Sequence, residues 1–204
     1  MYPITLKIEN KKCVIIGGGK IALWKAISLL EAGATVTVIS PEICEGFRPL
    51  QEQGNVHVVL KEVEPMDYKD AFLIIAATNS SEVNEEIYNN AHVNQLVNVV
   101  SNQELANFHI PASFHRGKLS ISVSTNGASP QLAKKIRNEL MEVYDESYEE
   151  YLEFLFEARM HIKNSSFTAT EKSRLLKDSI DELYKHSVKE RYRFLVSLMP
   201  VEVV

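Results

Sequence analysis

Short apolar runs alternate with amphipathic stretches through the first half of the chain. The apolar runs are rich in β-branched residues and predict strands over 12–16, Thr35–Ile39, Val56–Leu60, Ala71–Ala77 and Leu96–Val100. Ala71–Ala77 is apolar throughout, which is typical of a strand that is buried on both faces. The stretches between the runs predict three helices. The first begins at Ile21, and the other two cover Ile43–Gln53 and Glu82–His92. This alternation predicts an α/β fold, a Rossmann-like and mostly parallel sheet with right-handed crossovers.

The pattern changes after Val100. Two short alternating runs, Phe108–Ala112 and Lys118–Ser124, predict strands of an antiparallel or inter-subunit piece. Ser129 and Pro130 then have the residue types of a helix N-cap and a first helical position. Two long helical stretches follow, separated by Ser165-Ser166, and they cover Gln131 to about Ile162 and Thr170–Leu198.

Aromatic and leucine side chains recur near helical spacing in the first of these stretches. Such a stripe predicts a packing or dimer face, and the alternative is a groove for a flat aromatic ligand. The residues concerned are Tyr144, Tyr148, Tyr151, Leu152, Leu155 and Phe156.

A glycine turn joins the first strand to the first helix. The sequence Gly17-x-Gly19-x-x-Ala22 fits the dinucleotide fingerprint. The first glycine permits the turn, the second lets a pyrophosphate approach the backbone, and the small third residue lets helix and strand pack closely. The helix N-terminus adds free N–H groups and a partial positive charge. A nucleotide site is therefore favoured over a purely structural turn.

Two other strand ends face the same predicted site. Ser40, Pro41 and Glu42 follow the second strand, where the ribose of a nicotinamide cofactor would lie. No arginine stands beside Ser40 to pair with a 2′-phosphate, which favours NAD over NADP. After the fourth strand we expect Thr78 and Asn79 to neighbour the ligand, with Ser80 or Ser81 capping the next helix.

Composition and charge exclude other classes of partner. The formal net charge of -5 over 204 residues argues against a nucleic-acid surface. No apolar stretch has the length of a bilayer span and no export signal is seen, so we expect a cytoplasmic protein. Cys13 and Cys44 have neither metal-ligand nor disulfide spacing, and Cys13 is predicted to be a small core residue. We predict no bound metal.

Several blocks together resemble a known family. Beside the glycine turn, Val97-Asn98-Val99-Val100 and Phe108-x-Ile110-Pro111-Ala112 occur in order, followed by Arg116-Gly117-x-Leu119-x-Ile121-x-Val123-Ser124-Thr125-x-Gly127-x-Ser129-Pro130. In these blocks the chain resembles the precorrin-2 dehydrogenases of the sirohaem pathway, including the dehydrogenase module of the larger sirohaem synthases.

The resemblance implies an NAD-dependent oxidoreductase that converts precorrin-2 to sirohydrochlorin. It also implies a homodimer whose chain divides into an NAD-binding domain over 1–112, a dimerisation region over 113–145 and a helical C-terminal domain over 146–204. By position, Lys20 and Ile21 would lie at the cofactor phosphates, and Pro41 and Glu42 beside its adenosine. Ser124 and Thr125 fall near the tetrapyrrole site, where Ser124 is a candidate catalytic residue.

One position departs from the family pattern. Members usually carry an aspartate directly after Asn-Val-Val, whereas this chain has Ser101 followed by Asn102. Neither side chain ionises near neutral pH, which lowers the expectation of an additional ferrochelatase activity. We expect both residues to line the site.

The chain offers other groups for proton transfer and carboxylate binding. His115 is a candidate proton acceptor, with an exposed turn histidine as the alternative. Arg116 is a candidate anchor for a substrate carboxylate. The remaining alternatives are a bifunctional dehydrogenase and ferrochelatase, and a non-catalytic module that senses NAD.

Overall fold

A computed structural model describes residues 1–199. The chain contacts divide it into two compact units, Met1–Ile110 and a second unit that begins at Pro111. Each unit has its own apolar core. Within the described residues, every helix is too short or too polar to cross a bilayer. The three-domain division remains a prediction.

The first unit is built on a five-stranded parallel sheet in the order β3-β2-β1-β4-β5. Its strands are β1 (Lys12–Ile16), β2 (Thr35–Ile39), β3 (Val56–Val59), β4 (Leu73–Ala76) and β5 (Leu96–Val99). Its helices are α1 (Lys20–Glu31), α2 (Phe47–Glu52), α3 (Pro65–Tyr68) and α4 (Ser81–Asn90), and a 3₁₀ turn covers Gln103–Leu105. The predicted α/β class and parallel sheet are confirmed.

Both faces of the sheet are apolar and covered by helices. Cys13 and Ile15 of β1 point to one side and pack in the cluster that includes the buried residues of α1. Val14 and Ile16 point to the other side, where they pack with Ile87 of α4. Burial on both sides explains why the strands read as continuous apolar runs. Cys13 is fully buried, as expected for a core residue.

The outer edge of β5 is covered by the segment that follows it. The backbone N–H of Asn107 donates to the Val97 carbonyl, and the side-chain oxygen of Asn107 accepts from the Val97 N–H at 2.8 Å. Its side-chain amide also donates to the Gln95 carbonyl at 2.7 Å. One asparagine therefore satisfies backbone groups that would otherwise leave an open strand edge.

The first unit differs from the prediction at two helices. The helix expected over Ile43–Gln53 begins only at Phe47, because the N–H of Cys44 donates to the Gly18 carbonyl at 2.8 Å and holds this stretch against the glycine turn. The short helix α3 was not predicted, since its four residues span only about one turn.

The second unit joins a hairpin to a group of helices. The hairpin strands β6 (Ala112–Arg116) and β7 (Leu119–Val123) are antiparallel, with Arg116 opposite Leu119. The helices are α5 (Pro130–Val143), α6 (Ser147–Asn164), α7 (Ala169–Asp178), α8 (Glu182–His186) and α9 (Val188–Leu198). Ser129 caps α5 by accepting from the Leu132 N–H, and Pro130 is the first helical residue. Both predictions are confirmed.

The expected strand over Phe108–Ala112 is wrong. Strand pairing starts only at Ala112, because Phe108 is held by the first unit. Phe108 packs against the core of that unit, and the Asn98 side chain donates to the Phe108 carbonyl at 3.1 Å. The following strand, β7, lies within the predicted range.

The long helical stretches are interrupted where polar side chains bond to backbone N–H groups at the start of new helices. The first is broken between Val143 and Ser147, where the Asp145 carboxylate accepts from the Ser147 hydroxyl and, at 3.0 Å, from the Ser147 N–H. These two hydrogen bonds, above all the one from the hydroxyl, hold the pKa of the Asp145 carboxyl below its usual value. In the second stretch, Asp181 caps α8 and Ser187 caps α9.

Part of the aromatic stripe packs within the helical group, whereas Phe156 of the stripe is 51% exposed. Tyr151 and Phe154 are buried, and the rings of Phe154 and Phe194 meet edge to face with centroids 5.8 Å apart. Tyr148 packs at the border of this cluster. These contacts support the packing interpretation of the stripe over a ligand groove.

Candidate functional site

A crevice of about 560 Å³ opens at the carboxyl ends of the parallel strands. It lies where the sheet order changes direction, between β1 and β4, which is where ligands bind in open α/β sheets. The predicted cofactor residues that line it are Gly17, Gly19, Ser40, Pro41, Glu42, Thr78 and Asn79.

Gly17 and Gly18 bring neighbouring loops into direct contact. Gly17 has φ +119, and an added Cβ would overlap the Ala77 carbonyl oxygen after β4. A Cβ on Gly18 would overlap the Glu42 carbonyl oxygen and lie 2.8 Å from the Ile43 Cα after β2. The close backbone approach at Gly18 was missed, because the fingerprint leaves this position free.

Gly19 faces open space instead. A Cβ added there would have no atom within 4 Å, so the crevice keeps room for a phosphate beside the backbone. Lys20 and Ile21 begin α1 and are exposed, whereas Ala22 is fully buried in the core. An open glycine, a positive φ and a helix N-terminus at one point fit the pyrophosphate of a dinucleotide.

The loops after β2 and β3 also line the crevice. Pro41 and Glu42 are exposed, and Ser40 is half-buried. Lys61 also lines the crevice, but its ammonium group lies 3.0 Å from the Asp67 carboxylate and 3.4 Å from that of Glu64. The hydrogen bond to Asp67 is the main reason that the pKa of Lys61 is raised.

A buried asparagine connects the ends of β4 and β5. Asn84 of α4 is 1% exposed, and its side-chain oxygen accepts from the Thr78 hydroxyl at 2.8 Å. Its amide nitrogen donates to the Ser101 hydroxyl at 3.2 Å. Sequence reasoning missed Asn84; the only available signal was an asparagine at a core-facing position of a helix. Ser80 caps that helix, as one of the two predicted candidates.

Ser101 and Asn102 follow β5 and are exposed. The side-chain oxygen of Asn102 accepts from the Glu104 N–H at 3.0 Å and so caps the 3₁₀ turn. Neither residue lines the crevice itself, although Ser101 is connected through Asn84 to Thr78, which does.

The hydroxyls of Ser124 and Thr125 shape the turn before α5. Ser124 accepts from the Asn126 N–H at 3.1 Å, and Thr125 accepts from the Ser129 N–H at 3.0 Å. Asn126 has φ +50, a left-handed conformation that asparagine tolerates. The Ser124 hydroxyl also donates to the Asn126 side-chain oxygen at 3.4 Å, whereas the Thr125 hydroxyl keeps a proton to donate to a ligand.

His115 and Arg116 end strand β6. His115 is exposed, and its Nδ1 lies 2.9 Å from the Ser120 hydroxyl across the hairpin. The Arg116 guanidinium is centred 5.6 Å from the Phe114 ring centroid. Its Nε is buried and has no hydrogen-bond partner among residues 1–199.

Seven of the ten predicted cofactor residues thus line one crevice of the first unit, and Lys20, Ile21 and Ala22 do not line it. His115, Arg116, Ser124 and Thr125 belong to the second unit. Over the described part of the chain, no group of three or more His, Cys, Asp or Glu side chains is placed to hold a metal ion.

Three family models match consecutive parts of the chain. The NAD(P)-binding family matches residues 4–112, the central region of sirohaem biosynthesis proteins matches 116–142, and the SirC C-terminal domain matches 148–194.

Individual relatives agree with these matches. A precorrin-2 dehydrogenase of Priestia megaterium is 36% identical over 195 residues, which cover 96% of each chain. A precorrin-2 dehydrogenase of Bacillus subtilis (strain 168) is 36% identical over 78% of this chain and 98% of the relative. The solved structure of SirC, precorrin-2 dehydrogenase, superposes with a TM-score of 0.85 at 35% identity, over 97% of this chain and 98% of that one.

Proposed function

Because this chain belongs to the precorrin-2 dehydrogenase family, we propose that it oxidises precorrin-2 to sirohydrochlorin with NAD⁺ as the hydride acceptor. The observation that carries the proposal is the open space at Gly19 in the strand-end crevice. A purely structural turn would not need an unfilled glycine position directly after two glycines that are tightly packed, Gly17 and Gly18.

The cofactor supplies the hydride chemistry, while the protein supplies binding and orientation. Gly19 and the first N–H groups of α1 would bind the pyrophosphate, and Lys20 and Ile21 would flank it. Ser40, Pro41 and Glu42 would hold the adenosine end. Since Lys61 is already paired with Asp67 and Glu64, it is poorly placed to attract a 2′-phosphate, which favours NAD over NADP.

Polar residues of the second unit would contact the tetrapyrrole. Thr125 has a free proton with which to bind a substrate carboxylate, and Ser124 would bind one by exchanging its bond to Asn126. Arg116 would form a charge-assisted hydrogen bond through its guanidinium group. His115 would accept the proton released in the oxidation.

We further propose that the protein is a cytoplasmic homodimer. The β6–β7 hairpin has only two strands, so both of its edges are available for pairing. Sedimentation equilibrium of the purified chain would test this assembly, and a monomer at micromolar concentration would contradict it.

The function is tested by an anaerobic assay with enzymatically made precorrin-2 and NAD⁺, following the tetrapyrrole spectrum. Turnover should depend on NAD⁺ and exceed the uncatalysed rate. Gly19→Asp should abolish it, since like charges about 4 Å apart repel by roughly 4 kcal/mol at an effective dielectric constant of 20. Ser28→Asp, which adds the same charge on the exposed side of α1, is the control. Undiminished turnover in Gly19→Asp would refute the site.

A further inference from the structure

The orientation of the Asn84 side chain is fixed by backbone groups. Its oxygen lies 3.3 Å from the Thr78 nitrogen, and its amide nitrogen lies 3.1 Å from the Thr78 carbonyl oxygen. A backbone N–H can only donate and a carbonyl can only accept. The amide therefore cannot be flipped, and the group that faces Ser101 must be the NH₂.

This orientation determines the role of the Ser101 hydroxyl. The hydroxyl oxygen accepts from Asn84 at 3.2 Å, so its single proton is directed elsewhere. No acceptor for that proton is found within residues 1–199. Ser101 is exposed, and an unused donor at a strand end is free to bind a ligand.

The bonds of Asn84 place this donor beside the crevice. Val99, which pairs with Ala76 of β4, is the last residue of β5, and a turn follows in which the Asn102 N–H donates to the Val99 carbonyl. Because Asn84 bonds to both Thr78 and Ser101, the Ser101 hydroxyl lies near Thr78 at the end of β4. Thr78 lines the crevice. Asn84, which lies in the helix that Ser80 caps, thus connects the crevice-lining Thr78 to the Ser101 donor.

We propose that Asn84 is a positioning residue that presents the Ser101 hydroxyl as a hydrogen-bond donor to a carbonyl or carboxylate oxygen of a bound ligand. The inference rests on the proposed function. Two molecules in that reaction carry such an oxygen: the nicotinamide cofactor, through its carboxamide, and the tetrapyrrole, through its carboxylates. In either case Ser101 supplies a proton donor at this strand end and does not act as a base.

Substitutions at both positions test the proposal in the full chain. Ser101→Ala removes the donor but leaves the bonds between Asn84 and Thr78, and it should raise the KM of one of the two ligands about tenfold. Ser101→Thr keeps a hydroxyl and should restore wild-type values. A raised KM for NAD⁺ identifies the cofactor as the source of the oxygen, and a raised KM for precorrin-2 identifies the substrate.

Asn84→Asp tests the positioning role. A carboxyl group carries at most one proton, so it cannot donate to both Thr78 and Ser101, and the same KM should rise about tenfold. Asn89→Asp, the same change at an exposed site of α4, is the matched control. In the double variant Ser101→Ala/Asn84→Asp the loss should stay within about twofold of the Ser101→Ala value, because residues that act as a unit are not additive.

Several outcomes would overturn the proposal. These are unchanged kcat and KM in Ser101→Ala, a Ser101→Thr variant as impaired as Ser101→Ala, or fully multiplicative losses in the double variant. If Asn84→Asp shows no cooperative unfolding transition, it is not folded, and Ser101→Ala and Ser101→Thr still test whether the Ser101 hydroxyl is the donor. Absence of turnover in the wild-type chain would instead refute the proposed function and this inference with it. Normal wild-type turnover together with unaffected variants would refute this inference alone.

Discussion

Gly18 and Gly19 are adjacent in sequence but have opposite surroundings. An alanine at Gly18 would place its Cβ 2.8 Å from the Ile43 Cα and 2.9 Å from the Glu42 carbonyl carbon. Both are backbone atoms that cannot rotate away, so Gly18→Ala should lower the free energy of unfolding by about 2 kcal/mol. Urea denaturation measures this cost.

Gly19→Ala should give the converse result. It meets no neighbouring atom, so stability should change by less than about 1 kcal/mol, while the NAD affinity measured by calorimetry should fall. Equal destabilisation by the two substitutions would contradict this assignment of roles.

Burial controls the thiol of Cys13. The side chain is fully buried, and this burial raises its pKa from 9.0 to about 11. We expect a thiol reagent at pH 8 to label only Cys44, which is half-exposed, until the chain unfolds. Labelling of the Cys44→Ser variant, native and in urea, provides the measurement; rapid reaction of native Cys13 would contradict the prediction.

The same pKa shift implies a pH effect on stability. The unfolded chain loses the Cys13 proton near pH 9, whereas the folded chain keeps it up to about pH 11. The stabilisation is therefore complete below pH 9 and is lost as the pH rises through 11, by about 1.4 kcal/mol per pH unit between the two values. Denaturation of wild type and Cys13→Val across this range isolates the contribution, and parallel curves would contradict it.

At the residue level, local roles could be predicted and distant ones could not. Ser129 as a helix cap and Gly17 at a turn follow from near neighbours in sequence. Asn84 bonds to Thr78 and Ser101, six and seventeen residues away. Only the folded sheet brings those two strand ends together, and no local pattern reports it.

Strand β5 depends on Asn107 to complete its outer edge. Asn107→Ala would remove the side-chain bonds to Val97 and Gln95. The expected loss in the free energy of unfolding is about 2 kcal/mol, since each hydrogen bond contributes roughly 1 kcal/mol. Asn94→Ala, on the exposed turn before β5, is the control, and chemical denaturation of both variants would test the difference. Equal stability of the two would contradict the role of Asn107 at this edge.

Among the elements, strands were predicted more accurately than helix ends. The β-branched runs of the sheet are bounded by polar residues, so their limits fall within a residue or two. Helical periodicity, however, continues through Asp145 and Ser187, whose side chains accept hydrogen bonds from backbone N–H groups at the start of a new helix. The failed strand at Phe108 has a different cause, because its apolar side chain packs in the core of the first unit.

At the scale of the whole molecule, the crevice is formed entirely by residues between Ile16 and Val83. The first unit has its own sheet and core. We therefore expect a fragment of residues 1–110 to bind NAD with the Kd of the full chain, yet to show no precorrin-2 oxidation. Calorimetry on the fragment and its Gly19→Asp variant tests this, and a fragment that does not bind NAD would contradict it.

The order of strands was predictable at this scale because right-handed crossovers leave few arrangements for alternating strands and helices. The boundary between the two units at residue 110 was harder to predict. Pro111 and the apolar residues around it also fit a strand, and only the contacts of Asn107 and Phe108 assign the preceding stretch to the first unit.

The contact of Gly18 with the loop after β2 has a consequence for redesigning cofactor choice. The loop backbone is held by the Gly18 carbonyl bonded to the Cys44 N–H and by close packing at Glu42. The side chains of Ser40 and Glu42 take no part in that backbone contact. A loop transplanted from an NADP-dependent enzyme would have to reproduce the backbone conformation of residues 42–44. Single substitutions of Ser40 or Glu42, in contrast, would change the choice between NAD and NADP without disturbing that backbone.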